Sequence, residues 1–325
     1  MYIVTGACGF IGSNLLAEME HRGYRDIAVV DEFGKGDKWR NVAKRGALQF
    51  FLPSQIDMLL EKHPSDIEAV MHLGAISSTT ETDVDLIVRS NFQLTVKLFD
   101  FCIAHNTPLI YASSAATYGG GEHGFVDRDD LKFISSLRPL NPYGWSKNSV
   151  DKYIASAIGG SATQVVGLKF FNVYGPNEYH KGMQMSVMRH FYEQFRTTGE
   201  VRLFKSYRDD FADGEQRRDF VWVGDCVNVM LWMLEHRDVS GLFNVGTGNA
   251  TSYNVVAQSV ARAMGLDPVI EYIDMPESVR HQYQYFTQAD LTKLRSVGYD
   301  APFASVPEGV EQYVGGFLMG NDIYR

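Results

Sequence analysis

Short apolar runs alternate with amphipathic segments along the first half of the chain. The apolar runs are rich in Val, Ile and Leu, as are strands buried on both faces of a parallel sheet. They predict strands at Tyr2–Thr5, Ile27–Val30, Leu48–Phe51, Ala69–Leu73, Leu109–Ser113 and Gln164–Phe170. Helical periodicity between them predicts helices at Phe10–His21, Ser54–Lys62, Asp85–His105 and Pro142–Ala157. This alternation predicts an α/β fold built on a doubly wound parallel sheet, with ligand sites at the carboxyl ends of the strands.

The regular alternation of apolar and amphipathic segments ends after Pro176, where longer polar stretches separate them. The predicted elements are a helix at Ser186–Thr198, a strand at Val201–Phe204, a charged loop over Ser206–Arg218, a strand at Phe220–Val223, a helix at Cys226–His236, a strand at Leu242–Val245 and helices at Tyr253–Met264 and Pro307–Phe317. Residues from about 219 to 248 are predicted to return to the main sheet formed by residues 1–175. Residues 176–218 and 249–325 are predicted to form a smaller α/β C-terminal lobe that binds the substrate.

Composition and charge narrow the possible function classes. The chain has 325 residues, of which 45% are hydrophobic, and a net charge of -9. These values are typical of a soluble globular protein and argue against a general nucleic-acid binder. Three widely spaced cysteines argue against a disulfide framework or a metal site. A strand directly after Met1 leaves no room for a signal peptide, and no apolar run is long enough to span a membrane, so we expect a cytoplasmic protein.

Glycine recurs where the first strand gives way to the first helix. Gly6, Gly9 and Gly12 follow the strand, with Phe10 and Ile11 between the last two. Glycine permits a tight turn, a close approach of backbone to pyrophosphate and close packing of helix on strand. The free N–H groups at the helix N-terminus favour a phosphate. These five residues are therefore predicted to bind a dinucleotide, in a domain of the Rossmann type; a glycine-rich turn without a ligand is the less favoured alternative.

Two acidic residues, Asp31 and Glu32, follow the second strand. A carboxylate at this position accepts hydrogen bonds from a ribose hydroxyl. Two acids favour NAD, because they repel the additional phosphate of NADP. Lys35 and Lys38 lie just downstream and are able to neutralise that repulsion.

Tyr143 and Lys147 lie four residues apart on a predicted helix, so their side chains share one face. A tyrosine has a pKa of about 10. A neighbouring ammonium and a cationic nicotinamide are both expected to lower it toward the range of a useful base. Ser114 follows the strand Leu109–Ser113 and is placed to donate a hydrogen bond to a substrate oxygen. Together with the glycine loop, these residues predict redox chemistry on an alcohol carbon beside a nicotinamide.

Motifs along nearly the whole chain resemble the extended short-chain dehydrogenase/reductase superfamily. They are His72-Leu73-Gly74-Ala75, Ser113-Ser114-Ala115-Ala116-Thr117-Tyr118-Gly119, Asn141-Pro142-Tyr143-Gly144, Phe171-Asn172-Val173-Tyr174-Gly175-Pro176 and Arg218-Asp219-Phe220-Val221. The resemblance implies a nucleotide-sugar substrate and a tightly bound cofactor, one per subunit, that is reduced and reoxidised in each cycle. It also implies cofactor contacts at Leu73, Gly74, Ala75, Ser77, Asn91 and Val173, besides Lys38, Tyr143, Lys147 and Lys181.

Within this superfamily, dehydratases carry an Asp-Glu pair where this chain has Ala115-Ala116. Methyl groups cannot transfer a proton, so epimerisation is favoured over dehydration. Four further segments together resemble the ADP-glyceromanno-heptose 6-epimerases: Ser77–Glu81, Tyr111–Gly120, His180–Gly182 and Phe286–Leu291. That resemblance implies transient oxidation at carbon 6 of an ADP-heptose used for the inner core of lipopolysaccharide.

The same resemblance assigns roles in the substrate site. Tyr143 and Lys181 serve as the acid/base groups, because inversion presents the oxygen in two orientations; a solvated loop lysine is the alternative for Lys181. The implied substrate contacts are Ser77, Ser114, Asn172, Met183, His190, Phe204, Arg218 and Tyr283. Met183 occupies a position where a serine is expected. A planar guanidinium at Arg218 suits a pyrophosphate.

Two other functions compete with this interpretation. Another nucleotide-sugar epimerase, such as a UDP-hexose 4-epimerase, would share Ser114, Tyr143 and Lys147 but has no evident need for Lys181. A non-catalytic NAD(P) sensor is disfavoured, because such a protein would have lost Tyr143 or Lys147. The resemblance favours NADP, whereas Asp31 and Glu32 leave NAD open. It also implies a homo-oligomer, with a pentamer as one form. The net charge and the lack of a long apolar run lead us to expect no nucleic-acid and no membrane partner.

Overall fold

Among the residues that the structure describes, twelve strands form three sheets. The computed structural model describes residues 1–46, 48–62, 64–280 and 283–325. The strands are β1 (Tyr2–Thr5), β2 (Ile27–Val30), β3 (Gln49–Phe51), β4 (Ala69–His72), β5 (Leu109–Ser114), β6 (Val165–Phe170), β7 (Asn172–Tyr174), β8 (Val201–Phe204), β9 (Arg217–Trp222), β10 (Gly241–Val245), β11 (Ala250–Ser252) and β12 (Ile270–Ile273). The largest sheet has seven strands in the order β3-β2-β1-β4-β5-β6-β10, and all its neighbours are parallel.

Helices connect and cover these strands. They are α1 (Phe10–His21), α2 (Ile56–Lys62), α3 (Val84–Ile87), α4 (Leu94–His105), α5 (Leu131–Ser136), α6 (Pro142–Ala157), α7 (Val187–Thr198), α8 (Val223–Glu235), α9 (Tyr253–Ala263), α10 (Glu277–Arg280), α11 (Thr292–Ser296) and α12 (Val306–Val310). Shorter 3₁₀ turns cover Lys38–Val42, Pro53–Gln55, Ala115–Tyr118 and Tyr179–Gln184, and π-helical segments cover Val88–Gln93 and Glu311–Leu318. In the described part of the chain, no helix combines the length and the apolar character needed to cross a bilayer.

The seven-stranded sheet confirms the predicted doubly wound α/β fold. β1, β2, α1 and α6 begin and end at the predicted residues, since their apolar patterns are bounded by clear turn or cap signals. Thr5 at the end of β1 is in register with Val30 on one side and His72 on the other. The strand order reverses at β1 and β4, so their carboxyl ends form the crevice where ligands bind in such sheets.

The prediction that Phe220–Val223 returns to the main sheet is wrong. β9 pairs instead with β7 and β11 in a separate three-stranded sheet, and β8 pairs with β12. β9 begins with Arg217, Arg218 and Asp219, and charged residues of this kind suit a sheet beside a polar site better than a central buried strand. The predicted strand Leu242–Val245 does join the main sheet, where it forms β10 beside β6. The domain boundaries themselves stay a prediction.

The apolar core lies on both faces of the main sheet. Leu15 of α1 and Met230 of α8 pack on one face, whereas Leu98 of α4 and Val150 of α6 pack on the other. A third cluster lies between α7, α9 and α12. Burying a large apolar side chain contributes about 1.5–3 kcal/mol, so these layers fix the sheet edges that carry the polar residues.

Side chains cover the outer edge of β10. Asp129 and Asp127 accept hydrogen bonds from the backbone N–H groups of Leu242 and Asn244, each at 2.7 Å. Lys293 donates to the carbonyl of Leu242 at 2.8 Å. Because alternate residues of β10 point their backbone groups away from β6, these three side chains occupy the positions that a further strand would take.

Candidate active site

The carboxyl ends of β1, β4 and β5 open into a cavity of about 530 Å³. Most of the predicted cofactor and catalytic residues line it: Gly6, Gly9, Phe10, Ile11, Gly12, Asp31, Lys38, Leu73, Gly74, Ala75, Ser77, Ser114, Tyr143, Lys147, Asn172, Val173 and Lys181. A second cavity of about 540 Å³ shares Gly6, Asp31, Lys38, Gly74 and Ala75 with it and also reaches Glu32. The shared residues join the two cavities, so that they form one continuous site along the carboxyl ends of the strands.

The glycine loop leaves a cradle that side chains would fill. Gly6 has a φ of +64°, and a Cβ built on it would lie 2.5 Å from the backbone nitrogen of Gly74. A Cβ on Gly12 would lie 2.2 Å from the carbonyl oxygen of Gly6. Gly9 caps α1 without a side-chain hydrogen bond, so the first N–H groups of the helix remain free for an anion. These residues therefore fit the pyrophosphate of a nicotinamide dinucleotide.

Asp31 is held by backbone groups and by one lysine. Its Oδ2 accepts a hydrogen bond from the Cys8 N–H at 2.7 Å, and its Oδ1 accepts from Lys38 Nζ at 2.6 Å. Lys38 also donates to the carbonyl of Glu32 at 2.7 Å. The Asp31 side chain is 9% exposed and that of Lys38 is 21% exposed, so the ammonium offsets the carboxylate charge at the mouth of the second cavity.

A buried chain of hydrogen bonds lies at the end of β4, next to the cavity. His72 shares hydrogen bonds with Thr5 Oγ1 at 2.6 Å and with Thr95 Oγ1 at 2.8 Å, while the Gly74 N–H donates to Thr5 Oγ1 at 3.1 Å. Burial, assisted by the nearby Lys147 cation, lowers the pKa of His72 to about 3, so its ring is neutral at physiological pH. These hydrogen bonds hold the loop that contains Gly74 in place, and the neutral His72 adds no charge to the site.

Asn91 lies behind this loop rather than in the lining of either cavity. Its side-chain oxygen accepts from the Ile76 N–H at 2.8 Å, and its nitrogen donates to the Ile76 carbonyl at 2.9 Å and to Ser146 Oγ at 3.0 Å. Asn91 lies in the π-helical segment Val88–Gln93. The prediction of one uninterrupted helix over Asp85–His105 is therefore wrong. A direct contact of Asn91 with cofactor stays a prediction; its observed bonds join the Ile76 loop to α6.

Tyr143 lies in the first turn of α6 because Asn141 caps that helix. The Asn141 side-chain oxygen accepts from the Gly144 N–H at 2.8 Å, and Pro142 occupies the first helical position. The hydroxyl of Ser114, which ends β5, lies near the Tyr143 phenol and acts to lower its pKa. The structure thus brings the predicted phenol and serine together in the lining of the first cavity.

The expectation that Lys147 lowers the pKa of Tyr143 is wrong for the protein residues alone. Burial raises the pKa of Tyr143, and the hydrogen bond from Ser114 is the opposing influence. The Lys147 ammonium donates to the Ala112 carbonyl at 2.7 Å. Burial lowers the pKa of Lys147 to about 8, against the favourable charge of Asp151. Desolvation therefore outweighs charge attraction at this site.

Lys181 reaches the same cavity from a short closed loop. Its Nζ lies 5.5 Å from the centre of the Phe10 ring. The buried carboxylate of Glu178 accepts from the backbone N–H of Ser186 at 2.5 Å and from its hydroxyl at 2.7 Å, which closes the loop at its base. Burial lowers the pKa of Lys181, opposed by Glu178, so the neutral amine is more accessible than on a solvated lysine.

Comparison with known proteins places this site in a family. The sequence pattern described as the NAD dependent epimerase/dehydratase family matches residues 2–246. The chain belongs to this family. The cofactor of this epimerase/dehydratase is accordingly a nicotinamide dinucleotide.

Relatives and solved structures that resemble this epimerase/dehydratase cover almost its whole chain. The ADP-L-glycero-D-manno-heptose-6-epimerase of Nitratidesulfovibrio vulgaris is 45% identical over 99% of both chains. The enzyme of the same name from Fusobacterium nucleatum is 43% identical over the full length of both. The crystal structure of the Helicobacter pylori ADP-L-glycero-D-manno-heptose-6-epimerase superposes with a TM-score of 0.80 at 26% identity, covering 97% of this chain and 95% of the other.

The residues predicted to contact substrate fall into three groups in this epimerase/dehydratase. Ser77, Ser114 and Asn172 line the first cavity. A second group is built on aromatic rings: the Arg218 guanidinium lies 5.3 Å from the centre of the Tyr283 ring, and Phe204 packs edge-on against that ring at 6.2 Å.

The third group, Met183 and His190, lies on the Lys181 loop and on α7. His190 Nε2 lies 3.3 Å from the Met183 carbonyl oxygen, and the Met183 side chain is 90% exposed. Neither residue lines the cavities, so their contact with substrate stays a prediction.

Sequence reasoning missed Tyr253 and Phe220, which also line the first cavity. The two rings pack edge-on at 5.8 Å. Tyr253 also lies close enough to Tyr283 to raise the pKa of that phenol, which links the cavity to the Arg218 group. Tyr253 is the first residue of α9, directly after the Ser252 cap. The sequence around Tyr253 shows only that cap. Nothing local indicates that this tyrosine faces a cavity whose other lining residues lie far from it in the chain.

Proposed function

We propose that this protein interconverts ADP-D-glycero-D-manno-heptose and ADP-L-glycero-D-manno-heptose by transient oxidation at carbon 6. The observation that carries the proposal is the meeting of Ser114, Tyr143, Lys147 and Lys181 in one cavity beside the glycine loop. Full-length identity of 45% to an ADP-L-glycero-D-manno-heptose-6-epimerase supports the choice of substrate. Ala115 and Ala116 offer no acid for dehydration at the positions beside Ser114.

Inversion requires a proton to leave and rejoin the carbon 6 oxygen in two orientations. When bound, the oxidised nicotinamide supplies the hydride acceptor and a positive charge. Ser114 donates a hydrogen bond to the oxygen as it gains negative charge. Tyr143, held as a phenol by burial, donates a proton to the ketone oxygen in one orientation. Lys181, shifted toward its neutral amine, withdraws the hydroxyl proton in the other orientation, and the roles exchange in the reverse reaction.

The nucleotide half of the substrate is proposed to lie against the Arg218 group. A guanidinium makes two parallel hydrogen bonds to a phosphate, and Tyr283 holds Arg218 in place from one face. Phe204 and Tyr253 continue the same aromatic surface toward the first cavity. This arrangement orients the sugar toward Ser114.

NADP is proposed as the resident form of the cofactor. The Lys38 ammonium, 2.6 Å from Asp31, neutralises the carboxylate that would repel the additional phosphate, and it adds a donor beside it. Releasing the bound nucleotide by denaturation and identifying it by mass spectrometry tests this choice. We expect NADP from the unaltered protein and a larger share of NAD from Lys38→Met. Recovery of NAD alone from the unaltered protein would contradict the proposal.

The activity test uses purified protein, ADP-D-glycero-D-manno-heptose and no added cofactor, with the epimers separated by chromatography. We expect conversion to an equilibrium mixture. Tyr143→Phe is expected to lose a factor of about 10²–10⁴ in kcat, as for removal of a general acid/base. Tyr153→Phe is the matched control, because Tyr153 lies on the same helix with its hydroxyl bonded to exposed Asp100. Absence of conversion even with added NADP and NAD, together with turnover of a UDP-hexose, would replace the proposal by the alternative epimerase.

The oligomeric state stays a prediction drawn from the family resemblance. Sedimentation velocity of the cofactor-loaded protein measures the mass directly, and a homo-oligomer appears as a multiple of 36.5 kDa. A single species at the mass of one chain would overturn this prediction.

A further inference from the structure

A buried ion pair lies directly beneath the catalytic residues. Lys169 on β6 donates to Asp151 on α6 across 2.6 Å, and the two side chains are 1% and 0% exposed. Tyr111 also donates to Asp151, at 3.0 Å, and the Lys169 ammonium lies 5.0 Å from the centre of the Tyr118 ring. Such pairs add little net stability, because desolvation of both charges offsets their attraction. Stability alone therefore gives a weak reason for two charges here.

The pair is tied to the backbone on both sides of Ser114. Ser113, which is in register with Lys169, donates its hydroxyl to Asp151 at 2.8 Å. Lys169 donates to Thr117 Oγ1 at 2.8 Å, and Thr117 in turn donates to the Ser114 carbonyl at 2.8 Å. A shift of either charged group would move the end of β5 and the turn after it, and with them the Ser114 hydroxyl.

The pair also acts on Lys147. Asp151 lies four residues further along α6, on the same helix face as Lys147 and two turns from Tyr143. Its charge supports the protonated form of Lys147 and raises that pKa against burial. The other groups facing Lys147 are the neutral His72 of β4 and the Ala112 carbonyl of β5, and Tyr143 lines the same cavity. Asp151 is therefore an anion that favours the Lys147 ammonium. By Coulomb's law the Lys169 cation, 2.6 Å from Asp151, acts on Lys147 in the opposite sense.

We infer that Asp151 and Lys169 are positioning residues, which hold Ser114 in register with Tyr143 and keep Lys147 charged. The inference rests on the proposed function for its catalytic readout. It assigns no contact with substrate or cofactor to either residue. It follows that removing one charge at a time moves the Lys147 titration in opposite directions. The effect of each variant on kcat then distinguishes positioning residues from an ion pair that only supports the fold.

The test compares Asp151→Asn, Lys169→Met and the double variant, each as the cofactor-loaded protein. Competitive amine labelling read by mass spectrometry gives the titration of Lys147 and needs no substrate. We expect labelling of Lys147 to begin at lower pH in Asp151→Asn and at higher pH in Lys169→Met. In the epimerase assay we expect kcat to fall about tenfold or more in each, with KM changed far less, as misplacement of catalytic groups predicts.

The double variant covers the possibility that an unpaired buried charge prevents folding. It removes both charges, and replacing such a pair by uncharged residues is often neutral for stability. We expect it to fold, to label Lys147 at a pH below that of the unaltered protein, and to lose kcat because Thr117 loses its donor. Glu271→Gln, which breaks the exposed pair with Arg202 on β8 and β12, is the control and should change neither readout.

Two results would overturn the inference. One is a double variant with an unchanged Lys147 titration and a kcat within twofold of the unaltered protein. The other is a shift of Lys147 in the same direction in both single variants. If the unaltered protein fails to convert ADP-heptose, the proposed function fails, but the labelling curves still decide whether Asp151 and Lys169 control Lys147.

Discussion

Replacing Gly12 by alanine gives a sharp test of the cofactor cradle. A Cβ at this position would lie 2.2 Å from the Gly6 carbonyl oxygen and 2.7 Å from the Ala7 Cα, against 3.4–4 Å for an ordinary contact. Both are backbone atoms, so no rotamer change relieves the overlap, and α1 must move away from the loop. Overpacking of this kind costs about 1–3 kcal/mol. If that cost falls on the bound state, cofactor affinity decreases by a factor of about 5 to 140, since each 1.4 kcal/mol is tenfold.

The assay measures nucleotide content per chain after purification and the Kd for re-added nucleotide by calorimetry. Gly316→Ala is the control, because Gly316 is exposed and no atom of the described residues lies within 4 Å of a Cβ there. We expect Gly12→Ala to purify with a reduced nucleotide content and Gly316→Ala to retain it. A Gly12→Ala protein with full nucleotide content and an unchanged Kd would refute the view that α1 must lie this close to the loop for binding.

Two further predictions concern the catalytic and substrate residues. The pH profile of kcat/KM should fall on the alkaline side near pH 8. Burial lowers the pKa of Lys147 to about 8, so this side chain loses its charge as the pH rises through that value. A profile that stays flat to pH 10 would contradict this prediction. Arg218→Lys should raise KM about ten- to a hundredfold with kcat little changed, since charged hydrogen bonds contribute about 1.5–3 kcal/mol and lysine lacks the planar fork. Arg217→Lys is the neighbouring control, with a side chain that is 51% exposed, and an equal effect of both changes in steady-state kinetics would remove the special role of Arg218.

The parts of the fold that the sequence predicts best are those in which local pattern and tertiary structure agree. β1 and α6 are bounded by residues whose effect is local, such as Asn141 and Pro142 at the start of α6. β7, β11 and β12 are short strands that owe their form to partners far away in the chain, and no periodicity reveals them. The π-helical segment at Val88–Gln93 depends in the same way on the distant Ile76 backbone that Asn91 binds.

The residues of the candidate site show the same contrast between positions that the sequence predicts and positions that depend on distant parts of the chain. Residues at the ends of parallel strands, such as Gly6 and Ser114, could be predicted because the topology brings those ends together. Tyr253 could not, because its place in the cavity results from how α9 packs against the rest of the chain. The sign of the Tyr143 shift was missed because sequence spacing shows a neighbouring charge but not the loss of solvent, which is the larger effect.

The covered edge of β10 bears on how the protein behaves at high concentration. A parallel sheet that ends in an apolar strand offers its free N–H and C=O groups to any extended chain, including a second copy of itself. Asp127, Asp129 and Lys293 occupy those groups with charged side chains, so an incoming strand would have to displace three hydrogen bonds and desolvate the charges. These charged side chains therefore act against edge-to-edge aggregation of the sheet that carries the cofactor cradle.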